Sequence, residues 1–175
     1  DINDLQPQSP YALTKLKEEN YLNKLAKQNL KVVILRFGTI YGVSVGMRFH
    51  TAVNKFCWQA TMNQPLTVWK SAFLQMRPYL DLNDASRAIS HVIKNIKHDG
   101  EVYNILTDNL NVKHIVGIIK SKISNVQLKK VNHKIMNQLS YEVSNKKFLK
   151  TGFKFGGSIE KSIDKTIKLI RNANN

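Results

Sequence analysis

Thiol chemistry is almost missing from this chain: Cys57 is the only cysteine in 175 residues. No intrachain disulfide can form, zinc sites built on paired thiolates are excluded, and the usage fits a reducing cytoplasm. Arginine is also scarce, 5 residues against 22 lysines. The cations are scattered from Lys15 to Lys168, with no basic run interleaved with aromatics of the kind that single-strand binders use. No apolar run approaches the length that spans a bilayer, and the opening stretch, Asp1 to Gln8, lacks the basic and apolar regions of a signal peptide. There is no internal repeat and no low-complexity linker.

What is present is a hydrophobic content of 42%, enough in a chain of this length for one sizeable core and one globular unit. The net charge of +15 raises nucleic acid as a partner, because a basic field recruits phosphates whatever the fold. The scatter of the lysines points instead to a solvated surface, with neither nucleic acid nor membrane as a partner. A nucleic-acid-binding module remains the reading of another class, and it predicts steeply salt-dependent binding. The sequence opens without methionine and runs straight into a helix signal, which reads as a chain cut in mid-domain.

Ser9-Pro10 starts a helix over about 10–28, since Ser caps backbone donors and Pro tolerates the first helical position. Leu22, Leu25 and Ala26 share one side of it, and Asn29 is a stop before Val32, Val33, Ile34 and Leu35. That run is short, β-branched and not alternating, which predicts a strand buried on both faces. Gly38 and Gly42 then read as an ordinary turn. Helix is expected over about 49–62, a short strand at Leu66 to Trp69, and a turn at Leu80 and Leu82 into a helix over 84–96. The stripe of that helix is Ala85, Ala88, Ile89, Val92, Ile93 and Ile96, and Asp84 reads as its N-cap. Another buried strand is expected at Glu101 to Leu106, a helix from Asn111 or Val112, and a final helix over about 158–171. Strands alternating with helices make an α/β class.

Chemistry becomes visible in Ser9-Pro10-Tyr11-Ala12-Leu13-Thr14-Lys15. Tyr11 and Lys15 are four apart and share a helix face, so they can act on one ligand. A phenol is a poor base at neutral pH, but a neighbouring ammonium stabilises the phenolate. Taken alone, the pair is also what an aromatic packed beside a solvated lysine looks like. The surroundings tip the reading. Ser-Pro-Tyr-x-x-x-Lys at a helix entry, followed by a strand reading Val-Val-Ile-Leu-Arg-Phe-Gly-Thr-Ile-Tyr-Gly, resembles the extended short-chain dehydrogenase/reductases, and more narrowly the NAD-dependent epimerase/dehydratase family, along essentially the whole chain.

That resemblance implies the C-terminal half of a Rossmann-like parallel sheet with helices, plus a small substrate-binding subdomain. The N-terminal cofactor-binding part, with its glycine-rich turn and the Ser or Thr that relatives set beside the Tyr, would lie outside the residues given. The isolated piece is then expected to be inactive. The resemblance implies NAD, or NADP, as cofactor, a nucleotide-diphosphate sugar as substrate, a homodimeric full-length enzyme, and epimerisation by transient oxidation, with dehydration or reduction as the rival chemistries. Tyr11 would be the catalytic base. Lys15 would support it and bind the nicotinamide ribose, with Gly38 and Thr39 against the nicotinamide. Thr39 stands where many relatives carry Asn, and Val43 where many carry Pro. Asn54 and Arg77 would hold the substrate diphosphate. A second family arginine is missing from 134–141, where Lys134 is the candidate cation. No metal is implied.

Overall fold

The computed structural model describes residues 5–132 and 140–173. Helix α1 (Pro10–Ala26) starts as its sequence dictates, with Ser9 accepting from the Ala12 amide and Pro10 in the first turn. It ends where Asn29 takes a left-handed φ of 72°, a conformation asparagine tolerates. Strand β1 (Val32–Phe37) follows and pairs in parallel with β5 (Asp99–Ile105). Only Ile34 of β1 is buried, so the expectation of a strand covered on both faces does not hold. Among the described residues β5 is its only strand partner, and α1 lies on it without burying any residue of its own.

The chain then crosses to a second sheet. β2 (Thr39–Tyr41) runs parallel to β4 (Met76–Asp81), which pairs antiparallel with β6 (Asp108–Asn111). A third, parallel pair joins β3 (Leu66–Trp69) to β7 (Leu128–Val131). Helices α2 (Ala52–Thr61), α3 (Leu82–Asn95), α4 (Val112–Lys122), α5 (Lys146–Leu149) and α6 (Ile159–Asn172) complete the α/β fold. The residues read as a turn at 39–41 and at 80–82 are therefore partly strand. Three residues suffice for β2 because β4 supplies its ladder, with Thr39 opposite Tyr79 and Tyr41 opposite Asp81.

Alternation along β4 separates two cores. Tyr79 faces the larger one, built from α2, α4 and α6 around Phe56, Cys57, Ile115, Ile119, Ile163 and Ile167. Leu80 faces the other, where Ala85, Ala88 and Val92 of α3 meet Tyr103, Phe148 and Phe153. Ile89 and Ile93, assigned to the buried stripe, are exposed instead. They sit on the flank of α3, beyond the Ala85, Ala88 and Val92 line that meets the core. Phe148 and Phe153 pack against each other at 4.9 Å, and Phe148 meets the Tyr103 ring at 5.7 Å, so this part of the tail lies on the body.

Burial pushes the Cys57 thiol up to about 12. At pH 8 about one molecule in 10⁴ then carries the reactive thiolate. The native chain is expected to resist a disulfide reagent such as Ellman's and to react promptly once unfolded in guanidinium. Rapid labelling of the native protein contradicts this packing.

Candidate active site

Tyr11, Lys15 and Glu19 are spaced i, i+4, i+8 and form one stripe along α1. Tyr11 is 73% exposed. The Lys15 ammonium sits 5.8 Å from the centre of the Tyr11 ring and is bonded to the Glu18 carboxylate at 2.7 Å, which raises the lysine above its ordinary range. The pair expected to act together is thus on one open face, with Lys15 turned toward an acid of its own helix. One turn on, Glu19 accepts three bonds from Arg36 near the end of β1, Nε to Oε1 at 2.9 Å and to Oε2 at 3.1 Å, and Nη2 to Oε2 at 2.6 Å. The stripe is therefore anchored over the end of the strand that leads into Gly38.

Gly38 is where the chain leaves one sheet for the other. Its amide donates to the Ile105 carbonyl at 2.9 Å, and a Cβ there would lie 3.0 Å from the backbone carbon and oxygen of Pro78. Backbone meets backbone, and a side chain would force the strands apart. Thr39 follows, exposed, opposite Tyr79. Arg77 is the residue before Pro78, so Gly38, Thr39 and Arg77 are gathered at one strand crossing. The Arg77 guanidinium is held in a fixed plane: Nη1 donates to the Met76 carbonyl at 2.8 Å, Nη2 to Gln75 Oε1 at 2.9 Å, and its carbon stacks 5.0 Å over the Tyr141 ring.

Asn54 is 5% exposed, so it does not face solvent. Its Nδ2 donates to the Arg48 carbonyl at 3.1 Å, and its Oδ1 is buried without a partner. A buried amide oxygen left unpaired in a helix interior costs stability, and such groups concentrate where function needs them. Asn54 touches the loop before α2 rather than Tyr11 or Lys15. Lys134 lies outside the described residues.

The assignment of Asp84 as N-cap is corrected. Asp81 caps α3 by accepting from the Asn83 amide, because the helix begins directly where β4 ends. Asp84, 1% exposed, accepts from Thr107 Oγ1, the Gly156 and Gly157 amides and Arg87 Nη1 at 2.8–3.0 Å. Asp81 also accepts from Ser162 Oγ of α6 at 2.7 Å. A β-carbon on Gly157 would lie 2.4 Å from the Asp81 Cβ. Sequence reasoning passed over this junction, whose one visible signal was the Gly156-Gly157 pair. Tyr41, in β2, points its buried hydroxyl into the same region. Burial, with Asp81 and Asp108 nearby, raises that phenol.

Two open grooves lie elsewhere, one between α3 and Gly152 to Lys154, the other between the starts of α4 and α6. Neither is lined by Tyr11, Lys15, Gly38, Thr39, Asn54 or Arg77. Tyr11 and Lys15 lie on an exposed face, and one edge of β1 has no strand partner among the described residues.

The sequence profile of the NAD dependent epimerase/dehydratase family matches residues 1–105, a span that holds all six candidate residues. UDP-sulfoquinovose synthase, chloroplastic, of Spinacia oleracea is 29% identical over 132 residues, 65% of this chain and 27% of that protein. The UDP-glucose 4-epimerase of Thermus thermophilus, solved with NAD, superposes with a TM-score of 0.84 at 21% identity over 96% of this chain. The dTDP-glucose 4,6-dehydratase of Bacillus anthracis, also solved with NAD, gives 0.83 at 20% identity over 97%. These two share the fold. The chain spans 56% and 54% of their lengths.

Proposed function

The chain belongs to the NAD dependent epimerase/dehydratase family, and from that premise we propose that it forms the Tyr-bearing, substrate-binding half of a sugar-nucleotide epimerase, working with a dinucleotide-binding half. The observation that carries the reading is the exposed Tyr11–Lys15 stripe anchored beside the crossing where Gly38, Thr39 and Arg77 converge. The available donors fit one end of NAD: a phenol, an ammonium and a threonine hydroxyl suit ribose hydroxyls and a carboxamide. Nothing among the described residues resembles a glycine-rich pyrophosphate turn, which the other half would provide.

Bound NAD supplies the hydride acceptor and, on return, the donor. Tyr11, as phenolate, takes the proton from a sugar hydroxyl as that carbon is oxidised, and gives it back when the carbon is reduced from the opposite face. Lys15 stabilises the phenolate once it leaves Glu18, which an exposed i,i+3 pair permits at little cost. Arg77 grips the diphosphate with a guanidinium already held flat, and Asn54 contributes its amide. Leu13 and Tyr21, apolar and exposed on α1, suit coverage by a second subunit in a homodimer. The lysine-rich surface is read as solvated, with no nucleic acid or membrane partner. No helix among the described residues is long and apolar enough to cross a membrane.

Dehydration is the second reading, favoured by the fold shared with a dTDP-glucose 4,6-dehydratase. Proton NMR of UDP-sugars incubated with NAD and the full-length protein separates them. An inverted ring carbon is the expected product, a 4-keto-6-deoxy sugar supports dehydration, and unreacted substrate across the panel removes both. Arg77→Ala is expected to weaken UDP binding by about 1.5–3 kcal/mol, the worth of a charge-assisted clamp, or roughly ten- to hundredfold in calorimetric Kd. An unchanged Kd places the phosphates elsewhere.

A further inference from the structure

Helix α1 carries the proposed base on an element that the core hardly grips. None of its residues is buried; Leu16, Leu22 and Leu25 are only half-buried against the sheet. Its N-terminus is set by the Ser9 cap, and its C-terminus by Gly100, whose missing β-carbon lets Ala26 approach. Between those ends the strongest fixed contact is the fork of Arg36 on Glu19, three bonds of 2.6–3.1 Å between side chains 22% and 17% exposed. Bidentate, partly desolvated pairs of this kind hold geometry far better than exposed ones.

We propose that the Glu19–Arg36 pair positions Tyr11 and Lys15 over the strand crossing at Gly38 and Thr39; this rests on Tyr11 being the base. Glu19 shares the stripe of both residues, so fixing its carboxylate fixes the rotation of the helix about its axis. A one-residue rotation would swing the stripe by about 100°. Tyr11 lies eight residues, about 12 Å, along the axis from the pin. A tilt of about 10° there moves Tyr11 by about 2 Å, and misplacement of about 1 Å can cost on the order of 10²-fold in rate. Arg36 is also two residues from Gly38, on the strand whose last residue pairs with Ile105. One ion pair therefore spans the gap between the helix that carries the base and the loop it must face.

The test uses the full-length enzyme with NAD and a UDP-sugar. Glu19→Gln removes the charge at constant shape. It is expected to lower kcat at least tenfold and to leave KM within about twofold, with an unchanged circular dichroism spectrum; Glu19→Asp recovers part of the loss. In the Tyr11→Phe background, Glu19→Gln is expected to cost much less than in the wild type, because the base it chiefly positions is gone and only Lys15 is left to place. Equal losses in both backgrounds, or a lower melting temperature with wild-type kcat per folded molecule, overturn the proposal and leave the pair a stabilising contact. Full turnover in Tyr11→Phe alone overturns the base assignment instead, and the positioning role falls with it.

Discussion

Replacing Tyr11 by Phe in the full-length enzyme is expected to lower kcat by about 10²–10⁴-fold, the usual worth of a positioned proton-transfer group, with substrate affinity near the wild-type value. The change deletes one oxygen from a side chain that is 73% exposed, on a helix that buries no residue. No core packing depends on it, so the melting temperature is expected to stay within error. That combination is what makes the experiment decisive: with an unchanged melting temperature and retained binding, lost turnover can be charged neither to unfolding nor to a missing substrate contact. Single-turnover absorbance of the reduced cofactor adds a direct view, since the variant would fail at transient oxidation rather than at release. Wild-type turnover sinks the assignment and returns Tyr11 to the ordinary exposed aromatic that its spacing alone allowed.

The parts of this fold that the sequence announces are those whose pattern is local. Helix α1 has its cap, its proline and its left-handed Asn29, and α6 has Ser158 as its cap with Ile159, Ile163, Ile167 and Ile170 buried at helical spacing. The strands that were missed carry no such pattern. β6 reads Asp-Asn-Leu-Asn and β7 Leu-Lys-Lys-Val, and each is a strand because a distant partner offers a ladder. Pro78 disguised β4, because proline argues against a strand with neighbours on both sides. It is tolerated where Gly38 passes close to its backbone, just before the β2 ladder begins at Thr39 and Tyr79.

The candidate site divides the same way. Tyr11 and Lys15 were legible because four residues of helix put them on one face. The burial of Asn54 was not, since that depends on how α2 lies against α4 and α6. The cap of α3 was misplaced by three residues because both Asp81 and Asp84 suit the first turn of a helix. The choice was made by β4, which continues to Asp81 opposite Tyr41.

Asp84→Ala is expected to destabilise the chain by about 3–5 kcal/mol, the range for removing one partner from a buried charged network. Four donors converge on this carboxylate, and the alanine leaves the Thr107 hydroxyl and the Gly156 and Gly157 amides without their acceptor. Arg87 adds less, because its side chain is half exposed and water can replace the contact. The damage spreads along the chain because Thr107 also accepts from the Asp81 amide, and Asp81 holds Ser162 of α6. Helix α6 packs on α2, so the tail, β4 and the helix bearing Asn54 are tied through one acid. Against a total stability of about 5–15 kcal/mol for a domain, such a loss is enough to populate unfolded chain at room temperature. Urea titration of the variant should show a lower midpoint at an unchanged slope. Asp84→Asn, which keeps one acceptor oxygen, should lose only about 1–3 kcal/mol. Combining Asp84→Ala with Thr107→Val should cost less than the sum of the two, since they break the same bond. A midpoint shift worth under about 1 kcal/mol for Asp84→Ala would mean that the Gly156-Gly157 turn holds its place by packing alone, with Gly157 needed only because Asp81 leaves no room for a β-carbon.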